Sequence, residues 1–202
     1  MDRKGYLLLF VLLSLFCSKA RCQWDGANKV FYSSKYNIKR DLSEFGDWYV
    51  VDSQKLPENM VFCASLEGDM CVVSMMVHES PAPVDIWDDN LNKDFLKGFA
   101  DGAKDVTSAF PGIKFLDLKY NKAHLLFKKA LKCHMPCVVN DIRINDGKLT
   151  SFLYYGYIYC LGKSVITSAV VLPLDYVVEY GFEAADMFFK TIDYIDARKN
   201  FK

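Results

Sequence analysis

Five consecutive residues concentrate ligand chemistry in this chain. Cys133, His134, Met135, Pro136 and Cys137 bring two thiols, an imidazole and a thioether into one short segment. Thiolate and thioether donors suit Cu(I), and cysteine with histidine also suits zinc. A full zinc signature takes four ligands at recognised spacing, and the other histidines, His78 and His124, stand alone. The two thiols also define a redox reading, although three residues separate them and a thioredoxin-like motif has two. Cys133, His134 and Cys137 are therefore the metal or thiol-redox candidates, in a chain otherwise expected to carry no cofactor. Hydrolytic chemistry has no support, since neither a Gly-x-Ser-x-Gly elbow nor a His-Glu-x-x-His pair occurs. Asp85, Asp88 and Asp89 precede a helical pattern, which makes them capping and dipole-compensating residues before calcium ligands.

The elements that would position these groups are legible as patterns. Runs at 48–51, 60–64 and 71–77 are rich in aromatic and β-branched residues and read as strands, with a turn at Glu67, Gly68 and Asp69. Leu91, Phe95, Phe99, Ala103, Val106 and Phe110 recur at helical spacing, and Pro111 and Gly112 stop that helix. Gly98 and Gly102 inside it are read as points of close packing on the sheet. Strands follow at 114–119 and, on an ambiguous pattern, 123–130; then Val138, Ile142 and Ile144 alternate up to Asn145, Asp146, Gly147 and Lys148. Asp146 and Gly147 favour a two-residue hairpin turn into the aromatic run 149–160, and Leu161, Gly162 and Lys163 turn into a last strand, 164–172. A closing helix presents Ala184, Phe188, Ile192 and Ile195, with Glu183 and Asp186 in its first turn and Arg198 and Lys199 in its last. The expected class is α+β: a mostly antiparallel sheet, one long helix inserted between strands and a C-terminal helix packed on it.

Residues 1–22 read as a secretory signal peptide. A charged start at Arg3 and Lys4 leads into an apolar run from Tyr6 to Phe16, which is half the roughly 20 residues a spanning helix needs. Cleavage after Cys22, or alternatively after Ala20, leaves no transmembrane helix and sends the protein to the periplasm or outside the cell. That segment holds four of the 25 bases and one of the 25 acids, so 21 bases face 24 acids in the remainder. A net charge of about −3 with no basic cluster argues against nucleic acid. Residues 23–34 lack periodicity and read as a flexible lead-in to a single domain spanning 35–202.

Five cysteines follow the leader, and in an exported chain they are first read as disulfide candidates. If Asp146 and Gly147 are the only loop residues, Asn145 faces Lys148 and the register carries Cys133 opposite Cys160. A three-residue loop at 66–68 likewise sets Cys63 opposite Cys71. These two pairs leave Cys137 free, and buried reduced thiols are the competing reading.

The order of elements resembles the PsbP/Mog1/DcrB-like superfamily of small α+β domains. The residues that carry the resemblance are Tyr36, Asn37 and Ile38 leading to Gly46, Asp47 and Trp48, a long helix ending near Pro111, the aromatic meander, and a finish with Phe189, Ile192 and Tyr194. The proline that often precedes the tryptophan is absent. The resemblance implies a partner-binding or assembly module and not an enzyme, and it transfers no residue role. The functional expectation is a non-enzymatic exported module of the bacterial envelope acting through a protein partner or small ligand, with the metal or thiol-redox protein as its alternative.

Overall fold

The computed structural model describes residues 23–33, 35–66, 71–109, 112–140 and 149–194. The leader, the turns at 67–69 and 145–148, Phe110, Pro111, Ile195, Arg198 and Lys199 lie outside the described residues. The strands are β1 (Gln23–Asp25), β2 (Val30–Ser33), β3 (Ile38–Asp41), β4 (Trp48–Val50), β5 (Met60–Leu66), β6 (Val72–Glu79), β7 (Ile113–Phe115), β8 (Lys119–Leu125), β9 (Lys128–Val139), β10 (Thr150–Leu161), β11 (Ser164–Pro173) and β12 (Ile192–Tyr194). Helix α1 (Asp89–Ala109) lies between β6 and β7 in chain order, and α2 (Leu174–Lys190) between β11 and β12. The class is α+β. The larger sheet runs β4-β5-β6-β11-β10-β9-β7, with β8 also on β9, and the smaller runs β1-β2-β3-β12; every pairing among the described residues is antiparallel.

Alternation along the central strands sorts side chains to two faces. Tyr155, Tyr157, Tyr159, Ile166 and Val170 join α2 residues Val177, Ala185, Phe188 and Phe189 and the small-sheet residues Phe31 and Ile38 in one core. Phe152, Tyr154, Met135, Cys137 and Ala169 face the other way, where Phe99 of α1 packs, its ring 5.2 Å from that of Tyr154. Leu96 of α1 joins Ile86, Leu131 and Cys133 alongside. At the start of α1, Asp88 Oδ1 accepts from Asn90 N–H at 2.9 Å, a capping contact.

Several segments differ from their sequence patterns, each for an identifiable reason. The expected lead-in at 23–34 is structured through Ser33, because β1 and β2 pair with each other and β2 pairs with β3. The closing helix begins at Leu174, well before Ala184, directly after Pro173, whose φ of −54° suits a helix start. Its first half, with β-branched Val177 and Val178, has weak intrinsic helix propensity, and burial of Val177 in the α2-side core holds it helical. It ends at Lys190, so Ile192 and Tyr194 belong to β12, on β3. Gly98 faces open space and not a close contact; the surroundings of Gly102 lie outside the described residues. Arg40, on β3, is enclosed in the first core. Its Nη1 and Nη2 donate to the carbonyls of Ser74 (3.4 Å) and Phe188 (3.2 Å), and burial pushes its pKa down to about 10.

The ambiguous stretch 123–130 is a hairpin. β8 and β9 pair through Leu125 and Lys128, leaving Leu126 (φ 48°) and Phe127 (φ 66°) as a two-residue turn with both residues left-handed. Such turns favour Asn-Gly, and each non-glycine residue there is strained by roughly 1–2 kcal/mol. Phe127→Gly, at a fully exposed turn position, should therefore raise stability by about 1 kcal/mol, read as a higher denaturant midpoint at unchanged m-value.

Candidate functional site

Strand alternation separates the ligand-rich segment. On β9, Cys133 and Cys137 point into the α1-side cores, whereas His134 points to the opposite face, where its ring lies 5.4 Å from that of Phe182. Cys133 and Cys137 are four residues apart on an extended strand, about 13 Å along it, far beyond a shared metal or a disulfide. Among the described residues no three His, Cys, Asp or Glu side chains are grouped to hold a metal. Burial pushes the thiols of Cys63, Cys133 and Cys137 up to about 12, so they are poor nucleophiles near neutral pH. Pro136 does not interrupt β9. Its carbonyl accepts from Leu116 N–H on the outer side, so its missing N–H falls between the end of β7 and the start of β8 and not in the ladder to β10.

The strand registers differ from those expected for the cysteines. Thr150 faces Val139, where a two-residue loop would put it opposite Arg143, so Cys133 faces Gly156 and not Cys160. Cys63 faces Ser74. Leu66 N–H donates to Cys71 O, and the longer loop turns Cys71 into the α2-side core while Cys63 lies in the α1-side core. No disulfide joins any of the five among the described residues. Denatured without reductant, the protein should titrate five thiols, and in the native state none should react quickly. A count of one thiol would instead support the bridges Cys63–Cys71 and Cys133–Cys160.

A polar cluster that the sequence does not announce lies on the α2 side. Tyr155 and Tyr157 alternate on one face of β10 and both donate to Asp186 Oδ1, at 2.5 and 2.8 Å. Lys132, opposite Tyr157 on β9, donates to Asp186 Oδ2 at 2.9 Å with its Nζ 5.1 Å from the Tyr155 ring centroid. Burial raises the Asp186 carboxyl, but the bonds from Tyr155, Lys132 and Tyr157 outweigh it and hold the pKa below the usual carboxylate value. Burial and then the Asp186 bond push both phenols well above their ordinary range. With all three donors committed to Asp186, this cluster is a clamp that fastens the second half of α2 to the sheet. Its signal in the sequence is the row Tyr155, Tyr157, Tyr159, phenols that need partners once one face is buried.

Exposed large apolar side chains gather on the outer surface of α2. Gly181 (φ 76°, ψ 173°) breaks the helix into two halves. Around it Tyr176, Val178, Tyr180, Phe182 and Met187 are exposed, Val178 at 78% and Tyr180 at 56%. Tyr176 and Tyr180 brace each other, with ring centroids 4.8 Å apart, and Phe182 is held against His134 and Tyr155. Burial, with Lys119 and Lys132 nearby, lowers the pKa of His134. The arrangement offers a pre-ordered aromatic surface for binding.

The antiparallel sheet with α1 on one face and α2 on the other is similar in fold to solved structures of low sequence identity. Cyanobacterial PsbP (CyanoP) from Synechocystis sp. PCC 6803 superposes with a TM-score of 0.53 at 11% identity, over 89% of this chain and 94% of that one. LpqN, involved in cell envelope biogenesis of Mycobacterium tuberculosis, gives 0.42 at 12% identity over 77% and 81% of the two chains. The Saccharomyces cerevisiae Ran-binding protein Mog1p gives 0.41 at 8% over 90% and 98%. The likeness is one of fold. No protein-family model matches the sequence, and no curated protein matches it significantly.

Proposed function

We propose that this chain is a non-enzymatic exported module of the bacterial envelope that binds or assembles with a protein partner through the outer face of α2. The observation that supports this reading is the set of exposed, mutually braced aromatic and aliphatic side chains around Gly181. Interfaces draw their affinity from such anchors, above all Tyr and other large rings held in place before binding. In this reading the leader 1–22 is removed and the remaining chain, with β1 and β2 part of its small sheet, acts as one domain in the periplasm or outside the cell. No helix among the described residues is long and apolar enough to cross a membrane. A small ligand is the weaker reading. The depression on the small sheet is open, and its lysines are engaged, Lys29 with Asp47 at 2.7 Å and Lys39 with Asp41 at 3.5 Å.

The test is a benzophenone side chain in place of Tyr180, with the same group at exposed Lys55 as control, irradiated in intact cells of the native host. The expected result is one adduct at position 180, in the envelope fraction, identified by peptide sequencing. Equal adducts at both positions, or none at 180, would overturn the proposal.

A further inference from the structure

The chemistry of the α2 face also specifies its partner. Asp175 and Glu179 lie one turn apart on the exposed first half of α2 beside Tyr176 and Tyr180, and exposed Glu183 follows the Gly181 break, with exposed Met187 one turn further on. The only base in α2 is Lys190, at its far end, and the fourth acid, Asp186, is committed to Lys132, Tyr155 and Tyr157. Among the described residues, Lys190 is the base that α2 itself sets against its outward-facing acids, while on the sheet Lys132 is committed to Asp186 and Lys119 stands opposite His134. Two classes of macromolecule are disfavoured by that sign: an anionic lipid surface and a nucleic acid would both be repelled. What remains is a polypeptide whose apolar residues cover the rings while its lysines or arginines meet the carboxylates.

We infer that the α2 face receives a cationic amphipathic segment of a partner protein. This inference rests on the docking role of α2 proposed above and adds the sign and pattern of the ligand. Charge sets the orientation and the rate of encounter, and the rings supply the contact that survives salt. Gly181 lets the two half-helices present Tyr180 and Phe182 on either side of the break, so the binding segment spans it.

Two labelled helical peptides of about 18 residues, one patterned with Leu and Lys and its twin with Leu and Glu, provide the probes. Fluorescence anisotropy with the purified protein should show the Lys peptide binding at least about tenfold tighter than the Glu peptide, with affinity falling between about 0.02 and 0.5 M salt. Tyr176→Ala with Tyr180→Ala, exposed rings that brace each other outside the core, should lose most of the binding at an unchanged melting temperature. Glu179→Lys with Glu183→Lys should reverse the peptide preference. Equal binding of both peptides, a preference that survives the charge reversal, or no binding of either would overturn the inference. The crosslinking at position 180 reports separately on the reading beneath it: an adduct there with no peptide preference leaves the docking face standing and removes only its cationic ligand.

Discussion

Asp186→Ala is expected to lower the unfolding free energy by about 2–4 kcal/mol, because it strands one ammonium and two phenols that converge on a single carboxylate. The three donors lie 2.5, 2.8 and 2.9 Å from its oxygens, and both Lys132 and Asp186 are about a quarter exposed, which keeps the loss below that of a fully buried pair. Asp186→Asn preserves the shape and one acceptor and should lose less. Equilibrium denaturation at neutral pH checks both. The pH dependence has a definite sign. Asp186 titrates below its unfolded value, so its contribution is complete above that value, near 3.8, and is lost as the pH falls through the folded pKa. Wild type and Asp186→Asn should therefore have converging stabilities in acid, separate as the pH rises from the folded pKa towards about 4, and differ by a constant amount above it. Parallel curves would show that the cluster does not clamp α2.

The second large effect is at Gly156, in the centre of β10. A Cβ there would sit 2.7 Å from the carbonyl oxygen of Ser168 and 3.2 Å from Cα and Cβ of Ala169. These are atoms of β11 held by the ladder on both sides, so they cannot swing away as a flexible side chain would. Gly156→Ala should cost about 3 kcal/mol, at the upper end of overpacking, and Gly156→Val should prevent cooperative folding. The matched control is Gly98→Ala in α1, where nothing lies within 4 Å and helix propensity alone should give a gain of up to about 1 kcal/mol. Thermal unfolding of the variants decides the point: equal effects at 98 and 156 would mean that the two central strands are not packed as closely as described.

The periodic elements were written into the chain. Phe99 and its helical spacing announce α1, and the alternating Tyr155, Tyr157 and Tyr159 announce a strand with one buried face. The resemblance in element order likewise points to the fold that the superposition on CyanoP supports. Local signals of this kind survive because burying one face of a helix or strand demands a fixed period.

Register and pairing were not written there. Cys133 faces Gly156 because the connection from β9 to β10 is longer than two residues. A slip by four residues keeps every side chain on its own face, so alternation could not reveal it and the Asp146–Gly147 pair was the sole cue. At Cys71 the loop is longer by one, and an odd change sends the residue to the other face. The segment Cys133 to Cys137 is dense in ligands only as a string. Once extended, its pleat aims Cys133 and Cys137 one way and His134 the other, which no count of residue types contains. Asp186 looked like a dipole charge in a first turn until packing placed α2 over β10 and β11, within reach of Lys132 on β9, and there its neighbours became Lys132, Tyr155 and Tyr157. Periodicity is a property of neighbouring residues along the chain, whereas the clamp and the exposed α2 face depend on which distant strands pair and by how many residues they are offset. That offset is set by the packing of the whole sheet.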